Sequence, residues 1–186
     1  MEYEPTIFTD DTILPYVTKY LVHDKKTKNM HYKVKQYIKE MKCSLKYSTP
    51  IGSTLTVYRG LTCKLSPKSM IKKGSSIFYH HKNFIWTSED ISKVKIFLGD
   101  TTQCYKEPNR EFTQPSKYLY GSTLLKIIVG DKIEFGVKEP DEIVFLSGYL
   151  KILSQRPVNE EPKGKYTEIE CEYVSEEEFK HIGIIY

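Results

Sequence analysis

Residues 142–148 read EIVFLSG, a glutamate followed directly by four apolar residues, a serine and a glycine. The run of β-branched and aromatic residues predicts a buried strand that ends near Gly148. A carboxylate at the start of such a strand is costly to bury unless it has partners or a chemical role. Glu142 is therefore a candidate functional residue, although a solvent-facing glutamate on a strand edge would look the same in isolation.

Two earlier stretches form a pattern together with residues 142–148. Residues 57–60 read VYRG and end a segment with strand-like alternation, where Gly60 would permit a sharp exit. Arg59 offers a rigid fork of donors to phosphate oxygens, although a surface ion pair would explain a lone arginine equally well. Residues 84–88 read FIWTS, and Ser88 fits the N-cap of a helix from Glu89 to about Leu98.

This order of arginine, hydroxyl pair and glutamate resembles the arginine-serine-glutamate class of mono-ADP-ribosyltransferases, which includes toxin-like and ecto-enzymes. The resemblance spans roughly residues 50–175. It implies a transferase that cleaves the nicotinamide–ribose bond of NAD, its substrate, and transfers ADP-ribose to an acceptor protein. Arg59 would contact the NAD phosphates, with Gly60 allowing close backbone approach. Glu142 would stabilise the positive charge that develops on the ribose.

The middle motif departs from the family at one position. Thr87 and Ser88 match the second and third places of the family's Ser-Thr-Ser motif, and the resemblance places both in the NAD pocket with Phe84. Trp86 stands at the first place, where the family serine bonds the glutamate. Its indole could replace that bond, stack on nicotinamide or block the pocket. Ser88 could also serve as a helix cap alone.

The acceptor side of the site departs further. Pro140 stands two residues before Glu142, where family members have Glu or Gln to orient the acceptor side chain. The resemblance therefore does not imply arginine as the acceptor. The alternatives are NAD glycohydrolysis and a catalytically inactive interaction module with the same fold. The segment 131–141 is the predicted acceptor loop, with these candidate residues: Phe135, Glu139 and Asp141.

Composition excludes several other classes. The net charge of +4, from 28 basic and 24 acidic residues, is too small to predict nucleic-acid binding. The four cysteines lack the spacing of a zinc site and the density of a disulfide scaffold, so we expect reduced thiols and no metal. No signal peptide or membrane-spanning run is visible, which predicts a cytoplasmic protein. A delivered or processed host-modifying effector domain would share these features.

The chain length of 186 residues fits a single domain. We expect a helical part over residues 1–49 and a mostly β, NAD-binding core over residues 50–186. Two amphipathic helices are predicted between Asp10 and Leu45, broken near residues 24–29, and a long loop over residues 99–120. The fold class is α+β, and the resemblance implies a core of two β-sheets. Later predicted strands are 76–79, 83–86, 123–129, 142–146, 149–153 and 166–173, followed by a capping box at Ser175 and Glu178.

Overall fold

A computed structural model of the chain describes residues 6–7, 36, 39–43, 45, 50–81, 84–99, 117–139 and 142–184. Several predictions lie outside these residues. They are the first amphipathic helix, most of the loop over residues 99–120, and the residues Pro140 and Asp141. None of the helices in the described part has the length and apolar composition of a membrane span.

The described strands form one mixed sheet. They are β1 (Thr6–Ile7), β2 (Leu55–Leu61), β3 (Met70–Lys73), β4 (Ser76–His81), β5 (Ile85–Ser88), β6 (Thr123–Val129), β7 (Gly136–Glu139), β8 (Glu142–Phe145), β9 (Gly148–Glu160) and β10 (Gly164–Ser175). Their order across the sheet is β1-β7-β8-β5-β2-β6-β10-β9-β4-β3. The pairs β1–β7 and β6–β10 are parallel, and the other neighbours are antiparallel.

A single residue pair joins the two halves of this sheet. Between β2 and β5 only Tyr58 and Ser88 pair, whereas β2 pairs with β6 along its whole length. We refer to β1, β7, β8 and β5 as the β5 wing and to the other six strands as the β6 wing. We call the Tyr58–Ser88 pair the junction, because β2 and β5 make no other residue pair.

The predicted two sheets are replaced by one sheet that folds over on itself. In a flat sheet β8 and β10 would lie four strand spacings apart, about 19 Å. Yet the rings of Phe145 in β8 and Tyr173 in β10 have centroids 5.7 Å apart, and the Tyr173 hydroxyl donates to the Leu146 carbonyl. The chain crosses from β8 to β9 in two residues, which holds the wings together. The prediction failed because the sequence does not reveal the junction pair that keeps the sheet continuous.

The main core lies where the wings face each other. Its buried side chains come from both wings, so burying them requires the sheet to fold. We call this group the core cluster, and it comprises Val57, Leu65, Ile85, Leu125, Ile127, Val129, Ile143, Phe145, Leu150, Ile169, Cys171 and Tyr173.

Two short α-helices whose bounds lie within the described residues flank the sheet. The first, α1 (Ile91–Lys95), continues as a 3₁₀ helix over Ile96–Leu98, so the predicted end at Leu98 is confirmed. Its predicted start is wrong, because Asp90 caps α1 by accepting from the Ser92 amide at 2.9 Å. The second, α2 (Glu176–His181), begins with the predicted capping box. Near the N-terminus, the described residues 39–43 are helical, and Met41 is buried as the predicted stripe requires.

Strand predictions succeeded where apolar runs are long. The prediction of β6 over residues 123–129 is confirmed at both ends, whereas β9 and β10 extend well beyond their predicted bounds. The added residues of β9 are largely exposed and polar, so they carry little hydrophobic signal. No prediction was made for β3, and β7 lies inside the predicted acceptor loop.

An aromatic stack fixes α2 against β4 and β9. The Phe179 ring stacks on Tyr149 at 3.6 Å and meets Phe78 edge-on at 5.1 Å. Lys73 lies over the Phe179 ring and donates to the Phe179 carbonyl at 2.6 Å. We predict that Phe179→Ala lowers the free energy of unfolding by about 2–3 kcal/mol, since it removes these ring contacts.

Chemical denaturation measures this change. Glu177→Ala serves as the control, because Glu177 is an exposed residue of the same helix. A midpoint for Phe179→Ala equal to that of the control would show that the stack does not stabilise the fold.

Candidate functional site

The junction brings the three sequence motifs onto neighbouring strands. Ser88 pairs with Tyr58 of β2 on one side and with Glu142 of β8 on the other. These three residues form a row across adjacent strands, and Arg59 follows Tyr58 directly in β2. The Cα atoms of Tyr58 and Glu142 are therefore about 10 Å apart, the width of two strand spacings. Residues that are more than 80 positions apart in the chain thus meet at one place in the fold.

Arg59 lies in β2 directly beside the junction. Alternation along β2 places it on the face of Val57, toward the core cluster. Its Nη1 donates to the Trp86 carbonyl at 2.9 Å, a backbone acceptor beyond the single pair that links the two strands. Its Nε is buried and has no hydrogen-bond acceptor among the described residues. The Arg59 guanidinium therefore has one N–H donor that no described residue accepts from.

Burial also changes the ionisation of Arg59. It lowers the pKa of the guanidinium to about 10, and the electrostatic effect of Tyr79 partly opposes this. The side chain remains a cation at neutral pH, because the lowered pKa is still well above 7. A desolvated cation with an unused donor favours an anionic ligand.

The middle motif supports the strand that carries Glu142. The Thr87 hydroxyl donates to the Ile143 carbonyl at 2.8 Å, so it ties β5 to β8 beside Glu142. The Ser88 hydroxyl accepts from the Asp90 amide at 3.0 Å and stabilises the turn into α1. Trp86 is half-buried and pairs with Val144, while Phe84 is only 3% exposed and lies in the protein interior.

Gly60 allows α1, rather than a ligand, to approach β2 closely. A Cβ atom at this position would lie 2.3 Å from the Val94 carbonyl oxygen and 3.1 Å from the Phe97 Cβ. No side chain fits there while α1 keeps its place. The sharp exit predicted at Gly60 is wrong, because β2 continues to Leu61. Gly60 positions the helix that follows Ser88.

Glu142 lies at the start of β8 as predicted. The residue is half-buried, and its Oε2 atom is shielded from solvent. On its other side β8 pairs with β7, where Glu139 lies directly opposite Glu142 across an irregularity in the register. Of the other predicted acceptor-loop residues, Phe135 packs against the core cluster and Asp141 lies outside the described residues.

One residue outside the three motifs, Tyr79, has an electrostatic link to Arg59. This half-buried residue of β4 packs against the core cluster, and its ring meets His81 edge-on at 6.2 Å. Burial raises the pKa of Tyr79, Cys63 raises it further, and the Arg59 charge lowers it. The sequence offered no signal for this link, because β4 lies four strand positions from β2 in the sheet.

The described residues hold no group of three His, Cys, Asp or Glu side chains arranged to bind a metal ion. Comparison by sequence gave no relatives, since no family model and no curated protein match the chain.

Solved structures do match over most of the chain. The Vis toxin of Vibrio splendidus, an ADP-ribosyltransferase, matches with a TM-score of 0.59 and 19% identity over 93% of this chain and 71% of that one. C3larvin of Paenibacillus larvae, an ADP-ribosyltransferase toxin, gives a TM-score of 0.53 and 14% identity over 88% and 93% of the two chains.

A third similar structure was solved with a dinucleotide. It is BECa, an ADP-ribosylating toxin of C. perfringens in complex with NADH, with a TM-score of 0.57 and 14% identity over 87% of this chain and 40% of that one. At these identities the likeness concerns the fold. The chain therefore has the fold of the bacterial ADP-ribosyltransferase toxins.

Proposed function

We propose that the chain is an NAD-dependent mono-ADP-ribosyltransferase that cleaves the nicotinamide–ribose bond of NAD and transfers ADP-ribose to a protein side chain. The observation that carries this proposal is the row of Tyr58, Ser88 and Glu142, which brings the three motifs onto adjacent strands. The fold supports the same function, as does the NADH bound to BECa.

Arg59 would bind the diphosphate of NAD. The Trp86 carbonyl holds one side of its guanidinium, and the buried Nε–H is left to donate to a phosphate oxygen. A hydrogen bond between charged groups in a partly desolvated site is stronger than one in water. The arrangement therefore fits an anionic group delivered by a substrate.

Glu142 would act on the nicotinamide ribose. When the bond from ribose C1′ to nicotinamide breaks, nicotinamide leaves with the bonding electron pair and positive charge develops on the sugar. A carboxylate nearby lowers the free energy of that state. Because the row separates Glu142 from the β2 strand of Arg59 by about 10 Å, the two residues would hold different parts of one extended substrate. A dinucleotide meets this requirement.

The acceptor side chain would attack C1′ from the face opposite nicotinamide, with inversion. It must also lose a proton, and a carboxylate beside the reaction centre is a suitable base. Glu139, whose backbone is paired with that of Glu142, would supply this carboxylate. It would replace the acidic or amide side chain that Pro140 cannot supply.

Calorimetric titration with NAD tests the binding half of this proposal. We predict that Arg59→Ala raises the dissociation constant for NAD at least roughly tenfold, because a charge-assisted hydrogen bond is lost. Arg59→Lys should recover only part of the affinity, since lysine keeps the charge but not the planar fork.

Arg156→Ala is the matched control. Arg156 pairs with Glu168 at 2.8 Å on the β9–β10 hairpin, and its side chain is 68% exposed. The control should bind NAD as the wild type does. Equal NAD affinities for Arg59→Ala and the wild type would contradict the assignment of Arg59.

A further inference from the structure

The turn before β6 holds an aromatic side chain in solvent. The Ser122 amide donates to the Leu119 carbonyl at 3.1 Å, and Gly121 at the third position of this turn has a φ of 85°, which favours glycine. Tyr120, at the second position, is 96% exposed. The Leu119 amide donates to the Leu98 carbonyl at 2.9 Å, so the turn is fixed to the 3₁₀ helix that follows α1. The fold therefore presents Tyr120 to solvent from an anchored support.

Two further apolar side chains are exposed on the same end of the sheet. Leu119 precedes Tyr120 in the turn, and Phe97 precedes Leu98 in the 3₁₀ helix; each is more than a third exposed. We call Phe97, Leu119 and Tyr120 the exposed patch. Grouped apolar side chains in water are typical of a site that binds another protein, and tyrosine is among the residues that contribute most to such interfaces.

The surroundings of the exposed patch carry an excess of positive charge. The Lys64 Nζ lies 5.4 Å from the centroid of the Tyr120 ring, and the Lys163 Nζ lies 5.9 Å from that of Tyr118. The adjoining turn between β9 and β10 adds two glutamates, of which Glu160 forms an ion pair with Lys95 at 2.8 Å. Three further lysines lie on or beside the turn before β6, against one further glutamate: Lys64, Lys117 and Lys163, against Glu161.

The exposed patch lies close to the row of Tyr58, Ser88 and Glu142. A Cβ at Gly60 would lie 3.1 Å from the Phe97 Cβ, and Gly60 follows Tyr58 by two residues, about 7 Å along β2. A standard interface buries about 800 Å² on each partner, which corresponds to a surface about 30 Å across. One bound protein is therefore wide enough to cover both the exposed patch and the row.

We propose that the exposed patch is a docking surface for the acceptor protein, and that the acceptor supplies an apolar pocket for Tyr120 bordered by aspartate or glutamate side chains. This inference rests on the proposed function. An apolar centre with charges at its rim is the usual anatomy of a protein interface, whereas surfaces that bind nucleic acid are much more positively charged. Recognition of the acceptor would thus involve the turn before β6 as well as the predicted acceptor loop.

Tyr120→Ser tests the inference. In a lysate with saturating labelled NAD, we expect this variant to label the major acceptor band of the wild type roughly 30-fold more slowly, as loss of an interface tyrosine implies. Its dissociation constant for NAD and its unfolding midpoint should match those of the wild type, because Tyr120 is exposed. Tyr120→Phe keeps the ring and should retain most of the labelling rate.

Leu153→Ser is the matched control for the apolar contact. Leu153 is an exposed residue of β9, outside the exposed patch, and its variant should label at the wild-type rate. Lys64→Glu tests the charge. It should slow labelling roughly fivefold at low ionic strength and less at high ionic strength, whereas Lys180→Glu, in α2, should have no effect.

Labelling by Tyr120→Ser at the wild-type rate would overturn the inference and leave the proposed function intact. A wild type that neither binds NAD nor labels protein would overturn both. Analytical ultracentrifugation and binding to RNA or to anionic lipid vesicles test the other occupants. Wild-type dimerisation, RNA binding or vesicle binding that Tyr120→Ser abolishes would assign the exposed patch to that occupant and overturn the inference.

Discussion

Glu142→Gln should lower the rate of nicotinamide release by about 10²–10³-fold and leave the affinity for NAD nearly unchanged. The amide has the size of the carboxylate, but it lacks the negative charge that would stabilise the developing positive charge on the ribose. Because this interaction is made in the transition state, its loss should lower kcat rather than raise KM. The measurement is nicotinamide released per enzyme at saturating NAD.

Glu172→Gln is the control for this substitution. Glu172 is an exposed residue of β10, where it pairs with Lys151 in the neighbouring strand. Its variant should release nicotinamide at the wild-type rate. A Glu142→Gln variant that is as active as this control would eliminate Glu142 as the catalytic carboxylate.

Gly60→Ala should lower the free energy of unfolding by about 1–3 kcal/mol, the usual cost of overpacking. The added Cβ would lie 2.3 Å from the Val94 carbonyl oxygen, a backbone atom of α1 that no side-chain rotation can move away. Since α1 follows Ser88 closely, a displaced helix should also lower NAD affinity. Chemical denaturation and NAD titration measure the two effects.

Gly130→Ala makes the same chemical change where space exists. A Cβ at Gly130 would have no atom within 4 Å, apart from its chain neighbours. This variant should match or slightly exceed the stability of the wild type, because alanine restricts the unfolded chain. Equal stability of the Gly60 and Gly130 variants would mean that α1 does not depend on the close approach at Gly60.

The sequence was most informative where local patterns decide the structure. The apolar run of β6 predicted that strand at both ends, and Ser175 with Glu178 predicted the start of α2. At the start of α1 the sequence predicted Ser88 as the capping residue, whereas Asp90 caps the helix. Tertiary structure decides this, because Ser88 is the last paired residue of β5.

The arrangement of the site depended on long-range structure that the sequence does not encode locally. The motif order placed Arg59, Ser88 and Glu142 in one hypothesis, but the row of Tyr58, Ser88 and Glu142 follows from strand pairing across the junction. Gly60 was interpreted as a ligand-facing glycine, and only packing reveals that α1 fills the space.

The most direct test of the central claim is transfer of label from NAD to protein. The wild-type chain would be incubated in a lysate with NAD that carries a label on its adenosine half, beside Glu142→Gln as the inactive control. The account predicts that the wild type labels protein and releases one nicotinamide for each ADP-ribose transferred. It predicts neither product with the variant. Absence of both label and nicotinamide with the folded wild type would contradict the account, and nicotinamide without label would contradict transfer to protein.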